Sequence, residues 1–88
     1  MKLPKHEGGL NIYHNEHKGS YETVEQWIKN VDLNVDDFVS YDEMMECIKN
    51  NDMWNIHWYP DTPVGFYSIY GSSFESVLNK ALEIDNEL

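Results

Sequence analysis

Three of the four histidines, His6, His14 and His17, fall near Glu7 and Glu16, and three imidazoles with a carboxylate are a donor set that can hold zinc. Their placement argues against it. His14 and His17 are three apart, as on one helical face, yet they fall where a strand should end and a glycine-containing turn begins. Zinc motifs carry cysteines or a defined helical spacing, and neither is present. The group reads as a surface turn, and no metal ligand is assigned. Nucleophiles find no better support. Cys47 follows Glu46 beside the apolar stripe of a predicted helix and reads as a core thiol. Ser72 and Ser73 sit at a helix start, where capping explains them, and no Gly-x-Ser-x-Gly turn exists. Gly8-Gly9 lacks the lysine and helix of a phosphate loop. No catalytic residue and no cofactor follow, so a protein that is not an enzyme is expected.

Two other groups of residues carry more information. Asp32, Asp36, Asp37, Asp42, Glu43 and Glu46 lie within one short stretch flanked by Lys29 and Lys49. Asp42 and Glu43 fall in the first turn of a predicted helix, where the dipole favours negative charge by about 0.3–1 kcal/mol each. The remainder is self-repelling, with Asp42 and Glu46 as like charges at i, i+4. Solubility is one explanation. The other is that closely spaced carboxylates imitate a phosphate backbone and occupy a basic groove on a partner. On that reading, neutralising Asp36, Asp37, Glu43 and Glu46 should abolish binding and leave stability equal or higher. The second group is aromatic: Trp54, Trp58, Tyr59, Phe66, Tyr67 and Tyr70 crowd a predicted hairpin, which cannot hide both faces unless something covers each. His57, Trp58, Tyr59, Tyr67 and Tyr70 are the candidate contact residues, for a protein or for a stacked base or sugar.

The elements that must position these groups are legible from periodicity. Leu10 to His14 reads as a short strand after a polar lead-in over residues 1–9. Thr23 with Gln26 forms a capping box before Val24, Trp27, Ile28 and Val31, giving a helix over 23–31. Asp32 to Asp37 is turn-like. Ser40 with Glu43 opens a second helix with Tyr41, Met44, Met45 and Ile48 as its buried stripe, ended by Asn50 and Asn51. Trp54, Ile56 and Trp58 alternate with polar neighbours as a half-buried strand, Pro60 to Pro63 turn the chain, and Phe66 to Tyr70 returns. Ser72 with Glu75 then caps a third helix carrying Phe74, Val77, Leu78, Ala81 and Leu82. The order is β-α-α-β-β-α, an α+β fold in one domain over residues 10–88: about three antiparallel strands covered on one face by about three helices.

The 88 residues carry 16 acids against 6 basic residues, all of them lysine, for a formal charge of −10. Residues 1–18 hold three lysines and two glutamates, a net +1; the other 14 acids meet three lysines, a net −11, so the acidity belongs to the folded body. With no arginine to grip phosphates, direct nucleic-acid binding is not expected, and a basic partner is. Aromatics at 14% and apolar residues at 41% argue for a folded chain. A single cysteine suits a reducing, cytoplasmic compartment. No leader or membrane-spanning run is expected.

In size, pI near 4.5, lack of arginine and the acidic 32–46 stretch, the chain resembles the small acidic single-domain proteins with which bacteriophages block host defences, the anti-restriction and anti-CRISPR inhibitors, several of them DNA mimics. That resemblance implies a non-enzymatic inhibitor of a host defence or nucleic-acid-handling protein and carries over no site residue. Gly65 to Glu83 is similar to the strand-to-helix corner of antitoxins of the HicB type, without their DNA-binding part. Two alternatives stand beside the inhibitor. One is a protein that sequesters a nucleotide signal on the hairpin aromatics, with His57, Lys18 or backbone amides at its phosphates. The other is a structural or assembly protein with tyrosines at a subunit interface. A homo-oligomer stays open.

Overall fold

A computed structural model describes residues 1–19, 23–60 and 65–88. Strands β1 (Leu10–His14), β2 (Trp54–Trp58) and β3 (Tyr67–Gly71) form one antiparallel sheet in the order β1-β2-β3. Helices α1 (Val24–Asn30), α2 (Tyr41–Asn50) and α3 (Phe74–Asn86) complete a small α+β domain, with short 3-10 turns at Glu16–Gly19 and Val35–Asp37. The predicted class and element order are those observed. The turn placed at Pro60–Pro63 lies largely outside the described residues.

Side-chain alternation explains the layering. Ile12, Ile56 and Ile69 stand opposite one another across the three strands, as do Leu10, Trp58 and Tyr67. This face meets α3, where Val77, Leu78 and Ala81 close a core around Ile56, Trp58 and Ile69. A second cluster, Val24, Phe38, Cys47 and Met53, joins α1 and α2 and reaches Tyr70 on the opposite face of the sheet. The helices therefore lie on both faces, not one as expected: α3 covers the first, while α1 and α2 cover only one end of the second.

Local chemistry sets the ends. Thr23 Oγ1 accepts from the Gln26 amide (3.1 Å) and Gln26 Oε1 from the Thr23 amide (3.2 Å), the reciprocal box predicted for α1. In α2 the buried stripe is turned by about one position: Cys47 is fully buried, whereas Tyr41 and Met45 are exposed. The reason is that only one flank of this helix meets α1 and β3, the flank carrying Met44, Cys47 and Ile48. The cap of α3 is Ser73, not Ser72, and its hydroxyl accepts from the Ser76 amide (3.1 Å). Within the first nine residues, expected as a mobile lead-in, Pro4 is buried and the Glu7 amide donates to the Tyr59 carbonyl (3.0 Å).

Candidate functional site

The uncovered part of the sheet's second face is where the aromatic residues gather. Alternation puts Tyr13 of β1, Asn55 and His57 of β2, and Ser68 and Tyr70 of β3 on this face, with Tyr59 and Phe66 just beyond the strand ends. His57 stacks on Phe66 at 4.7 Å between centroids and meets Tyr59 edge-on at 5.2 Å. Phe66 is 55% exposed and Tyr59 40%, so this ring cluster faces water. Beside it, where α1 and the first 3-10 turn lean over the sheet, lies a cleft of about 340 Å³ lined by Tyr13, Glu16, His17, Trp27, Met53, Asn55, His57 and Tyr70. That volume is at the small end of ligand pockets.

The walls are held from several directions. Asn55 Nδ2 donates to Ser68 Oγ (2.9 Å) and to the Ile69 carbonyl (3.0 Å), which pins an otherwise costly buried amide. Tyr70 tilts against Phe38, 5.6 Å away, and burial, with Asp37 nearby, pushes its phenol up despite hydrogen bonds toward Ser68 and Trp27. Asn15, in the left-handed region at φ 58°, exchanges hydrogen bonds with the Met53 backbone at 2.8 Å and so anchors the 3-10 turn that delivers Glu16 and His17.

His17 is the unexpected member. Its side chain is fully buried, and neither ring nitrogen makes a well-formed hydrogen bond among the described residues, although the Asn51 side chain stands near enough to act on the ring as a hydrogen-bonding neighbour. Burial holds its pKa below the usual value, a fall that Asn51 partly offsets and Lys18 reinforces. The neutral ring offers one donor and one acceptor.

His6 and His14 lie away from the cleft, so the grouping of His6, His14 and His17 does not assemble. His6 Nδ1 lies 2.9 Å from the Pro4 carbonyl. His14 stacks on Trp54 at 4.0 Å on the α3 side of the sheet, with Nε2 2.8 Å from Asp52 Oδ1. Asp52 is held below the usual carboxylate range by Asn15 first and then His14, against the opposing effect of burial. Among the described residues no three His, Cys, Asp or Glu side chains converge as a metal site.

The predicted contact residues divide. His57 and Tyr70 line the cleft, and Tyr59 stands exposed beside it. Trp58 is fully buried under α3 and cannot anchor a contact; Tyr67 stacks on it at 5.4 Å on the same covered face. The acidic stretch also divides. Asp32, Asp36, Asp42 and Glu46 are exposed. Asp37 Oδ2 accepts from the Asn34 amide (2.9 Å), capping the 3-10 turn. Glu43 Oε1 accepts from both the amide and the hydroxyl of Ser72, each at 2.9 Å, clasping α2 to the corner between β3 and α3. The expectation that all four of Asp36, Asp37, Glu43 and Glu46 can be neutralised without loss of stability is therefore corrected: Asp37 and Glu43 are structural.

The chain matches no protein-family model, no curated protein and no solved structure. Function must be argued from the site. Among the described residues, no helix is long and apolar enough to cross a membrane.

The hairpin side of the cleft was legible in the sequence; Glu16 and His17 stood out there only as members of a surface turn, and Tyr13, Trp27, Met53 and Asn55 did not stand out as site residues. A signal existed for one of them: Tyr13 alternates with Ile12 on a strand whose other face is needed by the core.

Proposed function

We propose that the chain is a non-enzymatic binding protein whose partner is a basic protein, engaged on the open aromatic face of the sheet. The observation that carries this reading is the composition of the cleft and its surround. Rings of Tyr13, Trp27, His57 and Tyr70 line it, Glu16 adds a carboxylate, and no lysine is among the described lining residues. A ligand bearing several phosphates would meet no cation on the described walls, since Lys18, whose charge reaches His17, is exposed and stands outside them. A cationic partner meets rings, a carboxylate and a molecule of charge −10.

Exposed Asp32, Asp36, Asp42 and Glu46 supply long-range attraction, which raises the association rate more than it deepens the final complex. Tyr59 and Phe66 supply apolar contact area. The finer form of the reading is an inhibitor of phage type, acting in the host cytoplasm by covering the basic groove of a defence or nucleic-acid-handling protein. Thiolate chemistry at Cys47 is disfavoured, because burial, with Glu43, Asp52 and Glu46 nearby, pushes the thiol up to about 12.

The test is capture from a bacterial lysate with three proteins in parallel: wild type, Tyr59→Ala with Phe66→Ala, and the four exposed carboxylates changed to amides. The reading expects a basic protein held by wild type, lost from the aromatic variant at every salt concentration, and bound more slowly by the amide variant at low salt. Equal capture by all three, or a partner that is acidic, overturns it.

A further inference from the structure

We propose that the cleft seats one arginine side chain of the basic partner, its guanidinium among the rings of Tyr13, Trp27 and Tyr70, with Glu16 as counter-ion and His17 as a hydrogen-bonding group on the inner wall. This rests on the reading of the chain as a binder of a basic protein and deepens it by naming what the cleft recognises.

Three observations converge on it. The first is the fully buried His17 imidazole on the cleft wall, whose two nitrogens make no well-formed hydrogen bond among the described residues, with the Asn51 side chain as their polar neighbour. Buried polar atoms in folded proteins are nearly always paired, and Asn51 can serve one ring nitrogen at most, so the ring keeps hydrogen-bonding capacity that an incoming polar group can use. The second is charge: Glu16 on the wall, Asp37 close enough to Tyr70 to influence its phenol, and a net charge of −10 overall. The third is ring content. A guanidinium is planar, weakly hydrated and always charged, and it lies against aromatic faces while its five N–H groups reach acceptors in their plane. An ammonium is a strongly hydrated point charge and gains less from flat walls. The cleft offers rings and acceptors together, which is the combination that separates arginine from lysine.

The experiment uses the full chain labelled with ¹⁵N and three short peptides of identical sequence, each with four lysines, whose central residue is arginine, lysine or citrulline. The arginine and lysine peptides carry equal charge, so long-range attraction is matched. Binding is read from the Trp27 indole N–H and the backbone amides of residues 13–17 and 53–57. The arginine peptide is expected to bind about tenfold more tightly than the lysine peptide, with shifts at the cleft, and the citrulline peptide to bind more weakly than either. Glu16→Gln and Tyr13→Ala, both at exposed positions, are expected to bring the arginine peptide down to the lysine level and to leave the lysine peptide unchanged. If arginine and lysine peptides bind equally and the cleft signals stay still, the arginine seat is overturned while the basic-partner reading stands. If neither binds, both fall. If adenosine or another neutral heterocycle moves the cleft signals and the arginine peptide does not, the cleft belongs to a small molecule and the proposal is wrong.

Discussion

Glu43 gives the sharpest structural prediction, because sequence position alone makes it one of six surface acids whereas its geometry makes it a clasp. One oxygen of its carboxylate accepts two bonds from Ser72, each 2.9 Å long. Hydrogen bonds to a charged group contribute about 1.5–3 kcal/mol net. Against this stands relief of repulsion with Glu46 one turn on, roughly 0.2–0.5 kcal/mol. Glu43→Ala should therefore cost about 1–3 kcal/mol. With an unfolding entropy of about 2.1 cal/mol/K per residue, a chain of 88 residues loses roughly 5 °C of Tm per kcal/mol, so the melting temperature should fall by about 5–15 °C. Glu43→Gln keeps an acceptor without the charge and should fall between. Glu46→Gln, at an exposed position bonded to Asn50 at 2.9 Å, should stay within about 0.5 kcal/mol of wild type. Thermal and urea melts followed by circular dichroism measure all three. A Glu43→Ala protein as stable as wild type, or more stable, refutes the clasp and restores Glu43 to the group of free surface carboxylates.

Acid should destabilise the protein in two steps whose sign follows from the depressed pKa values of His17 and Asp52. The unfolded chain takes up the His17 proton first as pH falls below about 6.5, so stability present above that pH is lost on the way down, and His17→Gln should flatten the melting temperature between pH 7 and 5. The Asp52 contribution, present above about pH 4, should persist in that variant and vanish only at lower pH. Cys47 should react with a disulfide reagent only at the rate of unfolding, because the thiol is buried and raised to about 12; rapid modification of the native protein would contradict this. Gly71→Ala should cost about 1–3 kcal/mol, since a Cβ there would stand 2.8 Å from Val77 Cγ1 and 2.9 Å from Glu43 Oε1, as a melt of the purified variant would show.

Which features were legible in the sequence follows from which are local. Capping boxes and period-2 alternation are decided within a few residues, so α1, β2 and the stripe of α3 were readable at nearly their observed limits. The stripe of α2 was not, because Tyr41 and Met45 are as apolar as Met44 and only the position of α1 and β3 decides which flank is buried. Glu43 looked like half of a capping box with Ser40; Ser40 does cap the Glu43 amide at 3.2 Å, but the carboxylate reaches Ser72, a partner 29 residues away. The cleft was half visible for the same reason. His57 and Tyr70 belong to the hairpin whose aromatic density drew attention, while Glu16, His17 and Trp27 reach it only because β1 pairs with β2 and α1 folds back over the sheet. His17 read as a surface residue since a glycine-containing turn is usually wet; tertiary packing buried it.

Hydroxyl-radical footprinting of the chain, free and bound to a captured basic protein, reads residue by residue which surface the partner covers. Tyr13, Tyr59 and Phe66 are exposed on the open sheet face, and Tyr41 and Met45 are exposed on α2 as internal comparators. The predicted result is strong protection of Tyr13, Tyr59 and Phe66 in the complex with Tyr41 and Met45 still oxidised as in the free chain. Protection of Tyr41 and Met45 with Tyr59 and Phe66 fully reactive would place the contact on the acidic helix and contradict the account.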